Sequence, residues 1–255
     1  MIHPTAIIDP KAELGPDCEI GPYCVVGAES RLGSGCRLLS HVVVDGATEL
    51  GPDNTVYPFV TIGLQTQDLK WRGGVTRTVI GSGNTFREGV TIHSATGDGE
   101  ETVIGSHNTI LAYCHVAHNC RLGDGIIMSN NTGLAGHVDV EDNVVIGGYV
   151  GVHQFCRIGR LAMVGGFTRI NQDVAPFALV EGNPARARAL NTIGLQRKNI
   201  APETIEALKQ TFQILFKSGL TTSNALEKLR AKEGLSAEEQ QLAAFFESSE
   251  RGVTR

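Results

Sequence analysis

A period of six residues runs through two thirds of this 255-residue chain and excludes most folds at once. Stepping in sixes from Ile8 to Ile170 meets an apolar residue at 25 of 28 places, and the three exceptions are Asp68, Gly74 and Asp98. An α-helix cannot hold a strict period of six on one face, and hairpin proteins show longer alternating runs between their turns. What remains is a parallel β-helix, with each hexad a short strand and a corner and successive coils stacked at roughly 4.8 Å. The exceptions fall in two polar segments, about 63–79 and 93–103, that read as loops leaving the repeat and returning in phase.

Two further positions of the hexad carry information. The residue after the apolar slot is often glycine, as at 15, 21, 27, 33, 51, 63, 81, 105, 123, 147, 159 and 165, which this reading assigns to corners of positive φ. Two residues before the slot stand mostly small or β-branched side chains, which share the inward face of the strand. All six cysteines, 18, 24, 36, 114, 120 and 156, lie on this rung and read as packing residues rather than disulfides or a zinc site.

After Ile170 the phase ends in a Pro-containing stretch expected to close the open end of the coil, so the β-helix is assigned to 1–185. From about residue 191 to 255 the pattern turns helical. Pro202 opens a helix ending near Gly219, a second covers about 222–232, and Ser236 with Glu239 forms a capping box for a third over 237–249. These short helices are too small to hold a core alone and are expected to pack on the β-helix or on a neighbouring subunit.

Composition narrows the function classes. The net charge is −5, with no basic stripe to neutralise a phosphate backbone, so nucleic acid is not the expected partner. No apolar run is long enough to span a bilayer, and the N-terminus lacks the features of a signal peptide, so a cytoplasmic protein without an integral membrane segment is expected. The repeat also says which distant residues are neighbours. His118 and His137 are 19 residues apart and His153 lies 35 beyond His118, which sets all three near one edge of the prism, with His115 close by. Such a cluster suits either zinc or general-base chemistry with the other imidazoles on substrate.

Local words separate these readings. QDLK (67–70), REGVTIH (87–93), YCHVAHNC (113–120), NNTGLAGHV (130–138), VHQFCRIG (152–159), MVGG (163–166) and the ending RGVTR closely resemble the UDP-N-acetylglucosamine 3-O-acyltransferases of lipid A biosynthesis, over nearly the whole chain. The resemblance implies a left-handed parallel β-helix with a C-terminal helical domain, assembled as a homotrimer with sites between subunits. It implies no metal and no cofactor. Transfer of a 3-hydroxyacyl chain from acyl carrier protein to the 3-hydroxyl of a UDP-sugar would then follow, as the first step of lipid A biosynthesis.

Residue by residue, the resemblance makes His118 the general base and the Gly136 N–H the oxyanion donor. His137, His115, Asp68 and Lys70 match positions around the sugar, and His153 and Gln154 match positions near the diphosphate. Asn191, Arg197 and Lys198 match residues that engage uridine and phosphate. Gly166 matches the acyl-chain ruler, where glycine implies a chain near fourteen carbons. Lys198, Lys209 and Lys217 are the expected basic contacts for the carrier protein.

Three positions depart from the family pattern. Asn119 stands where an aspartate commonly follows the catalytic histidine, His93-Ser94-Ala95 replaces an HRG word, and Ile193 replaces a glutamate near the nucleotide. They keep a second reading open, an acyltransferase for a 3-amino UDP-sugar or another N-linked acceptor. Readings of a different class are a zinc hydratase and a non-catalytic β-helical scaffold.

Overall fold

In the computed structural model, which describes residues 1–255, the six-residue period becomes a three-sided prism. Most strands are two residues long and pair in parallel with the strand eighteen residues on, as Ile7 with Val25 and Glu13 with Arg31. The first sheet runs from Ile7–Ile8 to Arg169–Ile170 and the second from Glu13–Leu14 to Arg157–Ile158. The third starts at Glu19–Ile20 and continues past Met163–Val164 into Ala178–Glu181. The repeat therefore reads through directly to a parallel β-helix.

The apolar slots fill the prism, with Val44, Ile62, Ile92, Val116 and Leu134 fully buried. All six cysteines are buried and unpaired on the inner rung. Burial pushes the Cys114 and Cys156 thiols up to about 11 and Cys120 up to about 12, so they stay protonated and unreactive at neutral pH. The same rung carries Asn54, Asn84 and Asn108, which bond coil to coil: the Asn54 Oδ1 accepts from Asn84 N–H, and the Asn84 Oδ1 from Asn108 N–H. A buried amide there costs little because each coil satisfies its neighbour.

Of the glycines that follow an apolar slot, Gly63 takes the expected positive φ, 82°, and the others differ. At 15, 21, 33, 51, 81 and 105 φ is not positive; instead a Cβ would meet the next coil, 1.3 Å from the Leu39 carbonyl oxygen at Gly21 and 2.6 Å from Ser34 N at Gly15. Close approach of stacked backbones, not a left-handed turn, selects glycine there. Positive φ falls two residues later, at Tyr23, His41, Phe59, Asn119, His137, Tyr149, Phe155 and Phe167. Their rings stack along the corners, Tyr23 on His41 at 5.0 Å, His41 on Phe59 at 5.1 Å and Tyr149 on Phe167 at 5.0 Å. Coil-to-coil stacking offsets the backbone strain of that region.

Both polar segments leave from the corner between the first and second sheets. Thr61 pairs with Thr91 and Thr91 with His115, so these coils take 30 and 24 residues instead of 18 and return in phase. Their strands reach further than the sequence suggests, so the irregular chain is 65–76 and 94–100. Ser94 ties the two loops together: its N–H and Oγ both donate to the Leu64 carbonyl, and its Oγ accepts from Thr76.

The β region extends to residue 190, beyond the expected 185, because Arg186–Leu190 pairs antiparallel with Ala178–Glu181 on the third sheet. Four α-helices follow, α1 (Thr192–Arg197), α2 (Pro202–Phe212), α3 (Thr222–Arg230) and α4 (Ala237–Glu247), with α2 continued by a π turn over Gln213–Lys217. The capping box forms as expected, and Glu239 is also held by Thr211 Oγ1 and Lys232 Nζ, each at 2.8 Å. The helices pack on the β-helix. The Arg157 guanidinium lies 4.4 Å above the Phe245 ring, and the chain end returns to bridge Val253 to Asp173. No helix is long and apolar enough to cross a membrane.

Candidate active site

Consecutive coils bring His118, Gly136, His137 and Phe155 to the corner from which the two loops emerge. The His118 and His137 rings meet edge to face at 5.2 Å, and Phe155 stacks on His137 at 4.7 Å. Gly136 lies directly against His118: a Cβ there would sit 2.3 Å from both Cε1 and Nε2 of the ring. Its N–H has no partner within the chain and is free to donate.

His118 is held on both sides. Its Nδ1 is 2.9 Å from Asn119 Oδ1, and its Nε2 faces Asp68 Oδ2 at 3.8 Å across from the first loop. The Lys70 N–H, donating to Asp68 Oδ1 at 3.0 Å, holds the Asp68 carboxyl below its usual range, aided by the nearby His118. The Thr66 and Thr96 hydroxyls meet at 3.1 Å, so the two loops close over the histidine together. Asn119 in turn donates from Nδ2 to Glu100 Oε2 at 2.7 Å and accepts the Thr96 N–H on Oδ1 at 3.1 Å.

His115 occupies the adjoining face of the first sheet, its Nδ1 2.7 Å from Thr91 Oγ1 and its ring 5.1 Å from His93. Burial pushes His115 down to about 4, with the His93 and His118 charges acting in the same direction. Burial also lowers His93 and His137, so these rings are neutral at pH 7 and can both donate and accept. His93 and Phe155 were not among the sequence candidates. Phe155 is 18 residues beyond His137, a stacking signal readable in the repeat.

The other sequence candidates scatter. His153 does not join the His118–His137 pair; it lines a depression on the first sheet with His115, Gly133, Gly151 and Arg169, and Gln154 is exposed beside it. Gly166 is exposed on a different corner, between the third and first sheets, stacked over Gly148. Asn191 caps α1 through the Gly194 N–H and donates to the Leu161 carbonyl on the remaining corner, with Arg197, Lys198 and Ile193 exposed nearby. Lys209 pairs with Glu206 and Lys217 donates to the Ala187 carbonyl, while Lys198 makes no ion pair. No group of three or more His, Cys, Asp or Glu side chains is arranged to hold a metal ion, so the zinc reading finds no ligand set.

A β-helix of hexads with a histidine pair and a free backbone donor at one corner defines the hexapeptide-repeat transferase class, and the model described as bacterial transferase hexapeptide matches residues 101–136. The model described as UDP-N-acetylglucosamine O-acyltransferase, domain 2, matches 173–254. The acyl-[acyl-carrier-protein]–UDP-N-acetylglucosamine O-acyltransferase of Alkalilimnicola ehrlichii is 45% identical over 190 residues, 74% of each chain. The protein of that name from Gloeothece citriformis is 48% identical over 167 residues, and the match spans 66% of this chain and only 60% of that protein's length. The crystal structure of the UDP-N-acetylglucosamine O-acyltransferase from Moraxella catarrhalis, 42% identical, superposes with a TM-score of 0.95 over 100% of this chain and 99% of that one. This chain belongs to the UDP-N-acetylglucosamine O-acyltransferase family.

Proposed function

We propose that this chain transfers a 3-hydroxyacyl group from acyl carrier protein to the 3-hydroxyl of UDP-N-acetylglucosamine, the first step of lipid A biosynthesis. The observation that carries the reading is His118, with Nδ1 on Asn119, Nε2 turned toward the loop cleft and the free Gly136 N–H against its ring. Nε2 takes the proton of the sugar hydroxyl, and that oxygen attacks the thioester carbonyl. The C–O bond forms, the Gly136 N–H binds the oxyanion, and collapse breaks the C–S bond. The imidazolium returns its proton to the departing thiolate, leaving an ester and a free carrier thiol. Neutral His115 and His137, with Asp68 and Lys70, hold the sugar, and His153 and Gln154 lie toward the diphosphate.

The same reading assembles the chain as a homotrimer, the state that the family resemblance implies. Gly166 follows the third sheet, and its strand, Met163–Val164, lies between two and three coils beyond His115–Val116 of the His118 corner, roughly 13 Å along the axis and across a full face. Asn191, Arg197 and Lys198 lie on yet another corner. One copy cannot bring these groups to a single substrate, whereas neighbouring copies packed side to side can, His118 and Gly166 coming from different subunits. The acyl carrier protein as donor implies the cytoplasm as location, and its acidic surface would meet exposed cations such as Lys198. The departures at Asn119, Ser94 and Ile193 leave a 3-amino acceptor as the second reading.

The ruler assignment gives a test of donor and groove together. Gly166 has an ordinary φ and is exposed, and a Cβ would stand 3.3 Å from the Gly148 carbonyl oxygen, so a side chain projects toward solvent once the stacked backbone gives by a few tenths of an ångström. Assayed against carrier protein loaded with chains of several lengths, the wild type is expected to prefer about fourteen carbons and Gly166→Met a shorter chain, by at least about tenfold in kcat/KM, since a blocked apolar pocket loses a few kcal/mol. An unchanged profile removes Gly166 from the acyl groove. Absence of turnover with every thioester supports the scaffold.

A further inference from the structure

We propose that Glu100, through Asn119, is the positioning residue that fixes the tautomer of His118 and supplies the negative charge its imidazolium needs. The inference rests on His118 being the general base. An isolated asparagine beside a histidine fixes nothing, because its amide can present oxygen or nitrogen. Here both ends of the amide are committed. Glu100 Oε2 can only accept, so it takes Nδ2–H at 2.7 Å, and the Thr96 N–H can only donate, so it takes Oδ1 at 3.1 Å. Asn119 must therefore show oxygen to His118 Nδ1, which must carry the proton, and the lone pair is left on Nε2, the nitrogen that faces the cleft.

The second loop is built to keep Glu100 in place. Its Oε2 also accepts the Gly97 N–H at 2.9 Å, and these hydrogen bonds, the Asn119 amide first, hold the Glu100 carboxyl below its usual range. Asn119 itself sits in the left-handed region, φ 59, which asparagine tolerates, and its N–H donates to Thr102 Oγ1. An aspartate at 119 would put a carboxylate directly on the imidazole, the usual arrangement for a catalytic histidine. This chain moves the charge one side chain outward and uses the amide to relay orientation.

Glu100→Gln isolates the charge, since the Gln oxygen can still accept from both Asn119 and Gly97. The groups around His118 are Asp68, His137, His93, His115 and the more distant Lys70, and none of them changes in this variant. Removing the negative charge disfavours imidazolium, so the acidic limb of kcat/KM is expected to move to lower pH by roughly half a unit, with kcat down about tenfold. Glu100→Gln combined with Asn119→Asp restores the limb and most of the rate. Long-range 15N NMR of the substrate-free protein is expected to show the Nδ1–H tautomer of His118 in the wild type. An Nε2–H tautomer, an unmoved limb with wild-type kcat in Glu100→Gln, or a loss that Asn119→Asp fails to recover would overturn the inference. If His118→Ala stays active, the base assignment has failed instead, and the tautomer measurement still reports on Glu100 independently.

Discussion

His118→Ala loses at least about 100-fold in kcat, the lower range for removal of a general base and equivalent to about 2.7 kcal/mol of transition-state stabilisation. The substitution is expected to leave the fold intact because the ring stands at the corner outside the prism core, against His137, Gly136, Asn119 and Asp68. Substrate binding is expected to survive, since His137, His115 and the loop residues remain. The loss therefore falls on kcat while KM stays within a few-fold. Near-native turnover with a normal thermal melt would show that another group takes the proton.

Gly136→Ala is expected to cost about as much for a geometric reason. Its φ is ordinary, so alanine is accepted by the backbone, but the new methyl would stand 2.3 Å from Cε1 and Nε2 of His118. The ring must move by about an ångström, and a displacement of that size can cost about 100-fold. Thermal stability is expected to change little, since the imidazole yields more easily than the coil. Full activity in Gly136→Ala would mean that the productive position of His118 differs from the one seen here.

The repeat made most of the fold legible. Period, coil length, the cysteine rung and the return of both loops in phase all follow from residues at fixed spacing. Glycine was legible in position and not in cause, because a slot emptied by a stacked backbone and one needing positive φ look alike in sequence. The positive-φ corners were hidden by Tyr23, His41, Phe59, His137 and Phe155, which stacking makes tolerable and which propensity would not place there. The His118–His137 contact followed from arithmetic on the coil. His153 misled the same arithmetic, since a one-residue offset at a corner turns the side chain onto the adjoining face.

Of the loop residues the resemblance placed only Asp68 and Lys70 at the site, near the sugar, and Glu100 was not legible at all. Asp68 and Glu100 lie on chain outside the repeat, where no period fixes direction, and they reach His118 and Asn119 by folding across the cleft. The departures then acquire physical content. Ser94 joins the two loops, and Asn119 links the histidine to a carboxylate that the sequence does not place nearby.

The central claim is O-acylation at this corner, and the bond formed tests it most directly. Protein incubated with UDP-N-acetylglucosamine, its 3-amino analogue and carrier protein bearing a 3-hydroxyacyl chain is predicted to yield chiefly an alkali-labile ester on the unmodified sugar, dependent on His118. An alkali-stable amide on the analogue alone, or no acylated sugar at all, would contradict the account.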